Sequence, residues 1–471
     1  MDKKYDIGVI GLAVMGQNIV LNIESSGYGV AVYNRTTATT EKFMEERAEG
    51  KDIKAAFSTK ELLAILERPR KVMLMVKAGK PVDYVIESIL PYLEEGDIVI
   101  DGGNSHYSDT NRRYEVLAEH GIRFLGTGIS GGEYGALHGP SIMPGGDEDA
   151  YVEVADILRD VAAQTEHGSC VTYLGPKSAG HYVKMVHNGI EYGVMQLIAE
   201  IYDIMRKSLD LLPAEMGDIF SDWNTYHKSY LIEITSEILH RIDPDTEKPL
   251  IDIILDEAKQ KGTGKWSVQD ALELGISLPT ITAAVNARNI SGYKEERIRF
   301  SETFPEPGIR NLDKEFIDII EDALYLAIII AYTEGMSLLQ GASAEYEYNL
   351  PLDEVARIWE DGCIIRAELL QPIQEIYKEK PYLSNLILSE QFKNKFKDKL
   401  ANLRLTVVSA KEMGIPVPAF SAALDYFDSL MSVELPSNMI QAQRDYFGAH
   451  TYLRRDKEGI FHTEWQDIHN V

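Results

Sequence analysis

The stretch Ile7-Gly8-Val9-Ile10-Gly11-Leu12-Ala13-Val14-Met15-Gly16 decides the fold. An apolar run turns sharply into the start of a helix. Gly11 permits the turn, small Ala13 lets the backbone approach a pyrophosphate, and Gly16 lets the helix pack on the strand. The intervening Leu12, Val14 and Met15 put backbone amides at the helix N-terminus, where an anion is favoured. Standing alone, G-x-A-x-x-G also fits any tight strand–helix connection. Its place on the first strand of an alternating β/α region favours a dinucleotide.

That alternation runs to about residue 174. Short apolar runs at 6–10, 29–33, 72–76, 98–100, 123–126 and 171–174 read as strands. Between them, 14–26 and 81–93 carry apolar residues at helical spacing, with Gly27 and Gly96 marking helix ends. The pattern predicts an α/β Rossmann-type doubly wound parallel sheet over residues 1–177. From 178 to 435 long helical patterns dominate, which predicts a large all-α domain. Residues 436–471 are rich in Gly, His and aromatics with little periodicity and read as an extended C-terminal tail. A likeness between 192–205 and 325–338 is too weak to count as a repeat.

The chain has 471 residues, enough for two or three domains. Its formal charge of −27 opposes nucleic acid and anionic membranes, and any site for a phosphorylated substrate must gather its own cations. Cys170 and Cys363 are the only cysteines, too few for a disulfide framework and in no metal-ligand spacing. No signal peptide is evident, and the most apolar later stretch, 323–332, is half the length of a membrane span. A cytoplasmic protein without a metal is the expectation.

The end of the second strand selects the dinucleotide. NAD-binding folds usually place an acid there for the ribose hydroxyls, whereas this chain has Asn34-Arg35-Thr36. Arg35 can pair with a 2′-phosphate and its neighbours add neutral hydrogen bonds, which predicts NADP.

Residues 180–192 open the helical region. Lys184, His187, Asn188 and Glu191 stand at i, i+3, i+4 and i+7, on one helix face. Val183, Met185, Val186 and Ile190 are apolar and can pack, so the polar stripe is expected to line a cleft. A lysine whose pKa is lowered by burial can take a hydroxyl proton during alcohol oxidation, and Glu191 can return a proton at the other end.

These residues stand together with Asp101-Gly102-Gly103-Asn104-Ser105, Ser130-Gly131-Gly132 and Met143-Pro144-Gly145-Gly146. Further on come Lys261-Gly262-Thr263-Gly264-Lys265-Trp266 and the tail motif Gln441-Ala442-Gln443-Arg444-Asp445-Tyr446-Phe447-Gly448-Ala449-His450. In this order, from Gly8 to the tail, the motifs closely resemble the 6-phosphogluconate dehydrogenase family. The resemblance implies oxidative decarboxylation of 6-phosphogluconate by NADP to ribulose 5-phosphate, carbon dioxide and NADPH, in the pentose phosphate pathway. It makes Lys184 the general base and Glu191 the general acid. It gives Asn104, Ser130, Gly131, Gly132, His187 and Asn188 to the sugar acid, and Val76, Lys77, Ala78 and Asn104 to the cofactor. It assigns the phosphate to Tyr192, Lys261, Arg288, Arg444 and His450, the last two donated by the tail of a second copy in a homodimer. Gly262 and Gly264 are read as an anion nest beside Lys261. The chain departs from many relatives at 133–138 and 224–230, which bears on loop packing. Two other readings are a shorter type of β-hydroxyacid dehydrogenase, which lacks the phosphate residues, and a non-catalytic NADP sensor, which has no use for the Lys184–Glu191 pair.

Overall fold

The computed structural model describes residues 3–305 and 308–465. The chain forms two compact units, Met1–Ala423 and Leu424–Val471.

The first unit begins with a seven-stranded sheet. Its strands are β1 (Ile7–Ile10), β2 (Val30–Tyr33), β3 (Ile53–Ala55), β4 (Lys71–Leu74), β5 (Ile98–Asp101), β6 (Arg123–Ile129) and β7 (Ile142–Gly146), in the spatial order 3-2-1-4-5-6-7. Helices α1 (Val14–Ser25), α2 (Thr37–Arg47), α3 (Thr59–Ala64), α4 (Lys80–Ile89), α5 (Tyr107–Ala118), α6 (Gly132–His138) and α7 (Glu148–Val161) connect or flank them. Two apolar clusters lie on the two faces, one around Ile7, Ile19 and Val154 and one around Ile10, Leu62 and Phe124. Strand order reverses between β1 and β4, so the loops beyond their C-terminal ends flank the crevice where such folds take ligands.

Two strand expectations are corrected. The sheet is not wholly parallel, because β7 pairs antiparallel with β6, with Thr127 opposite Pro144. Residues 171–174 form no strand; Val171 makes only a bridge to Ile142. The sequence 142–146 hides its strand because Pro144, Gly145 and Gly146 have poor strand propensity. Short β3, with one buried residue of three, also escaped the pattern.

After a small hairpin of β8 (Gln164–Thr165) and β9 (Gly168–Ser169), the chain becomes helical. Its helices are α8 (Ala179–Ser208), α9 (Pro213–His227), α10 (Tyr230–His240), α11 (Thr263–Glu273), α12 (Pro279–Ser291) and α13 (Lys294–Thr303). They continue as α14 (Phe316–Glu345), α15 (Leu352–Ile358), α16 (Leu370–Glu379), α17 (Glu390–Glu412) and α18 (Pro418–Met431). The weak likeness in the sequence falls on α8 and α14, each 30 residues long. A stronger one joins Ala271-Leu272-Glu273-Leu274-Gly275-Ile276-Ser277-Leu278-Pro279 to Ala410-Lys411-Glu412-Met413-Gly414-Ile415-Pro416-Val417-Pro418. In each, a glycine with positive φ ends one helix and a proline begins the next.

The two long helices cap these segments. Glu334 of α14 accepts the backbone N–H groups of Thr280 at 2.9 Å and Ile281 at 3.1 Å. Glu200 of α8 accepts those of Ala419 at 2.8 Å and Phe420 at 3.0 Å. The segments are therefore a structural repeat, carried by helix-end chemistry.

The second unit is not an extended tail. It holds α19 (Ser437–Gly448) and a hairpin of β10 (Tyr452–Leu453) and β11 (Ile460–Phe461). Asp445 is fully buried and accepts hydrogen bonds from Thr451 N–H, His462 Nδ1, Thr463 N–H and Trp465 Nε1. Burial pushes its carboxyl up, but these donors outweigh that and hold it well below the usual carboxylate range. The helix escaped the sequence pattern because Met439, Ile440, Tyr446 and Phe447 are exposed, while a carboxylate forms its buried side. Among the described residues no helix is long and apolar enough to cross a membrane.

Candidate active site

At the end of β1, Gly11 adopts φ +108° and its N–H donates to Tyr33 O at 2.9 Å. A Cβ on Gly11 would overlap the Met75 carbonyl, and one on Gly16 would overlap the Gly11 carbonyl. Ala13 is an extended N-cap with no side-chain hydrogen bond, so the first amides of α1 keep their donors for an outside acceptor. Leu12, Val14 and Met15 lie between, Val14 exposed. Leu12 N–H donates to Asn34 Oδ1 at 3.1 Å, and Asn34 Nδ2 donates to Thr36 O, which ties this loop to the end of β2. Arg35 is exposed and enters no ion pair among the described residues. A crevice that excludes a Cβ, an open helix N-terminus and an uncommitted guanidinium together fit a phosphorylated dinucleotide.

Neighbouring strands bring the remaining loops to the same edge. Val76, Lys77 and Ala78 follow β4, and Lys77 is exposed. The loop after β5 is held by Asp101, which accepts Gly103 N–H at 3.1 Å, Ser105 Oγ–H at 2.6 Å and Arg113 Nη1 at 3.4 Å, leaving Asn104 exposed. After β6 come Ser130, buried, and Gly131 and Gly132, both at positive φ.

Helix α8 crosses β6 and β7 at backbone contact. A Cβ on Gly180 would overlap the carbonyl oxygens of Met143 and Gly126, and one on Gly128 would overlap Lys184 Cβ. This is the work of Gly126, Gly128, Gly145 and Gly180, whose role the sequence reading did not foresee. It sets the first turns of α8 directly against the β6 loop.

Lys184, His187 and Asn188 are all less than a tenth exposed, and Glu191 is a fifth exposed at its side chain. His187 Nδ1 lies 3.4 Å from Lys184 Nζ, 3.1 Å from Asn188 Oδ1 and 3.9 Å from Glu191 Oε2, while Nε2 lies 3.2 Å from Ser130 Oγ. Although their backbones are two turns apart, Lys184 and Glu191 thus converge on one imidazole. Burial lowers the Lys184 pKa against the opposing pull of Glu191. Burial likewise raises that of Glu191 against Lys184 and Arg288. His187 is driven well below its ordinary value by burial and by Lys184, so its ring is neutral. The opposite wall is a segment absent from the sequence reading. Trp359 packs edge-on against His187 with centroids 5.6 Å apart, and Gly362 O sits where a Cβ on Gly131 would go.

At the far end of the stripe, the Arg288 guanidinium lies over the Tyr192 ring, 3.5 Å from its centroid. Lys261 is exposed and directly precedes Gly262, the left-handed N-cap of α11. The expected nest is corrected in part. Gly262 has φ +104°, but Gly264 is helical, and it is small because a Cβ would strike the Tyr192 ring. Arg444 and His450 belong to the second unit, where both are exposed and Arg444 donates to Gln441 Oε1 at 3.0 Å.

Two family descriptions match the chain. The NAD binding domain of 6-phosphogluconate dehydrogenase matches residues 6–175, and the C-terminal domain of 6-phosphogluconate dehydrogenase matches residues 180–465. The NADP(+)-dependent, decarboxylating 6-phosphogluconate dehydrogenase of Bacillus subtilis is 52% identical over 467 residues, covering 98% of this chain and 99% of the relative. The decarboxylating enzyme of Synechocystis is 53% identical, covering 98% of each chain. The solved structure of Plasmodium falciparum 6-phosphogluconate dehydrogenase superposes with a TM-score of 0.94 at 48% identity, covering 98% of this chain and 100% of that one. Matches of this extent across both domains leave no room for the shorter dehydrogenase reading: the chain belongs to the 6-phosphogluconate dehydrogenase family.

Proposed function

We propose that this NADP-dependent dehydrogenase oxidises and decarboxylates 6-phosphogluconate to ribulose 5-phosphate and carbon dioxide, with Lys184 as general base and Glu191 as general acid. The observation that carries the assignment is the convergence of both side chains on His187 Nδ1 within a buried site, with their pKa values displaced in opposite directions. Displacements of that kind mark an acid–base pair poised for proton transfer.

Residues 1–177 hold the cofactor, through the 11–16 loop, Asn34, Arg35, Thr36, 76–78 and Asn104. Bound NADP supplies the hydride acceptor. Lys184 Nζ takes the proton of the substrate's carbon-3 hydroxyl as that carbon is oxidised. The β-keto acid so formed loses carbon dioxide as its electrons flow into the new carbonyl, which the protonated Lys184 polarises, so no metal is required. Glu191 then protonates the enediol carbon. Neutral His187 and Asn188, with Ser130, Gly131 and Gly132, orient the sugar acid. Tyr192, Lys261 and Arg288 face the phosphate, and Arg444 and His450 complete its site from the second unit of another copy in a homodimer. A cytoplasmic location fits a chain whose only two thiols are both free and buried.

The test is reduced-nicotinamide formation from 6-phosphogluconate against gluconate, each with NADP and NAD. Turnover confined to the phosphorylated acid and preferring NADP is expected. Equal rates on gluconate would refute the phosphate assignment.

A further inference from the structure

Asp270 lies outside every motif considered so far. It stands on α11, is 3% exposed, and gathers the hydroxyls of three tyrosines from three other segments. Tyr107, at the start of α5, donates to Asp270 Oδ1 at 2.5 Å. Tyr346, after α14, donates to the same oxygen at 2.8 Å. Tyr182 of α8, two residues before Lys184, donates to Oδ2. The rings pack edge to face or tilted, with Tyr107 5.2 Å from Tyr182 and 5.7 Å from Tyr346. His106 stacks on Tyr107 at 4.7 Å and meets Trp266 of α11 edge-on at 4.8 Å.

We infer that Asp270 is a positioning residue: through Tyr107 it docks the 101–107 loop, which presents Asn104, onto the helices that present Lys184 and Lys261. A buried carboxylate needs donors to offset its desolvation, and three phenols supply them. Tyr107 follows directly on the loop whose other end Asp101 fixes to the sheet. Asp101 thus ties the loop to the nucleotide fold, and Asp270 ties it to the helical wall. Loss of the second tie leaves Asn104 correctly placed for only a fraction of the time. Apparent affinity falls by that fraction, while turnover at saturation is preserved.

This inference rests on the reading that Asn104 and Lys184 line the substrate site, so the experiment separates the two. Tyr107→Phe keeps the ring packing and removes one tie, and Asp270→Asn keeps the shape and removes the charge. Each is expected to raise KM for 6-phosphogluconate and for NADP roughly five- to tenfold, with kcat within about twofold. Amide exchange at 102–105 should accelerate in both. Tyr348→Phe is the control: its hydroxyl meets Ser178 Oγ at 2.7 Å in the same ring cluster without touching Asp270, and KM should not move. KM within about twofold of the parent in both variants, or an equal rise in Tyr348→Phe, overturns the inference. If Asp270→Asn does not fold, Tyr107→Phe decides alone. An unchanged KM in Asn104→Ala would refute the site reading instead, and amide exchange would still report on the tie.

Discussion

Lys184 has lost most of its water, and that loss rather than any single neighbour moves its proton affinity downward. Glu191 moves upward for the same reason. On the proposed roles, the working form pairs a neutral Lys184 with a protonated Glu191. Activity should therefore fall at low pH as Lys184 takes a proton and at high pH as Glu191 loses one. Lys184→Ala is expected to abolish oxidation. Glu191→Ala should slow steady turnover by roughly 100-fold while sparing hydride transfer in a single turnover, and it should remove the alkaline limb. Equal, mild effects in pH–rate profiles of the two variants would contradict these roles. At the cofactor end, Arg35→Asp exchanges an uncommitted cation for an anion and should lower the NADP/NAD ratio of kcat/KM by roughly 10- to 100-fold. A ratio unchanged in that variant would place the 2′-phosphate elsewhere.

The strand stretches at 6–10, 29–33, 72–76, 98–100 and 123–126 and the polar stripe of α8 were legible because their periods are strict and the glycines beside them have backbone reasons. The elements that escaped share a physical cause. In strand β7, Gly145 leaves room for the backbone of α8 and Gly146 for the Phe124 carbonyl, so tertiary contact overrode propensity. Helix α19 turns a carboxylate inward and its apolar residues outward, which inverts the usual pattern. The repeat was easily missed because its matching segments, 271–279 and 410–418, are only nine residues long and the acids that cap them, Glu334 and Glu200, stand on distant helices. Burial pushes both carboxyls up to about 7 against the amides that hold them down. A folded-state value above the unfolded 4.5 means the native state binds more protons, so stability declines as pH rises from about 4.5 to about 7. For each acid the full loss is about 3 kcal/mol. Glu334→Gln should shrink the fall in Tm between about pH 5 and about pH 8, and an identical fall in parent and variant would exclude this acid as its source.

At the scale of the molecule, the proposal assigns the phosphate to Tyr192, Lys261 and Arg288 of one copy and to Arg444 and His450 of another. Mixing Lys184→Ala with Arg444→Ala tests this directly. If tails are exchanged, each mixed dimer holds one intact site and one doubly broken site, so random reassembly should restore about a quarter of the parent activity. If each tail serves its own chain, both sites stay broken and no activity returns. The Asp445 hub bears on how such an assembly forms. A tail without internal order would surrender about 1–2 kcal/mol of backbone entropy for each residue fixed on docking. Here four donors around one carboxylate have already settled the turn between Arg444 and His450. That entropy is lost once, when the chain folds, so in the proposed dimer copies that part on dilution would keep a preorganised arm and re-engage without refolding it.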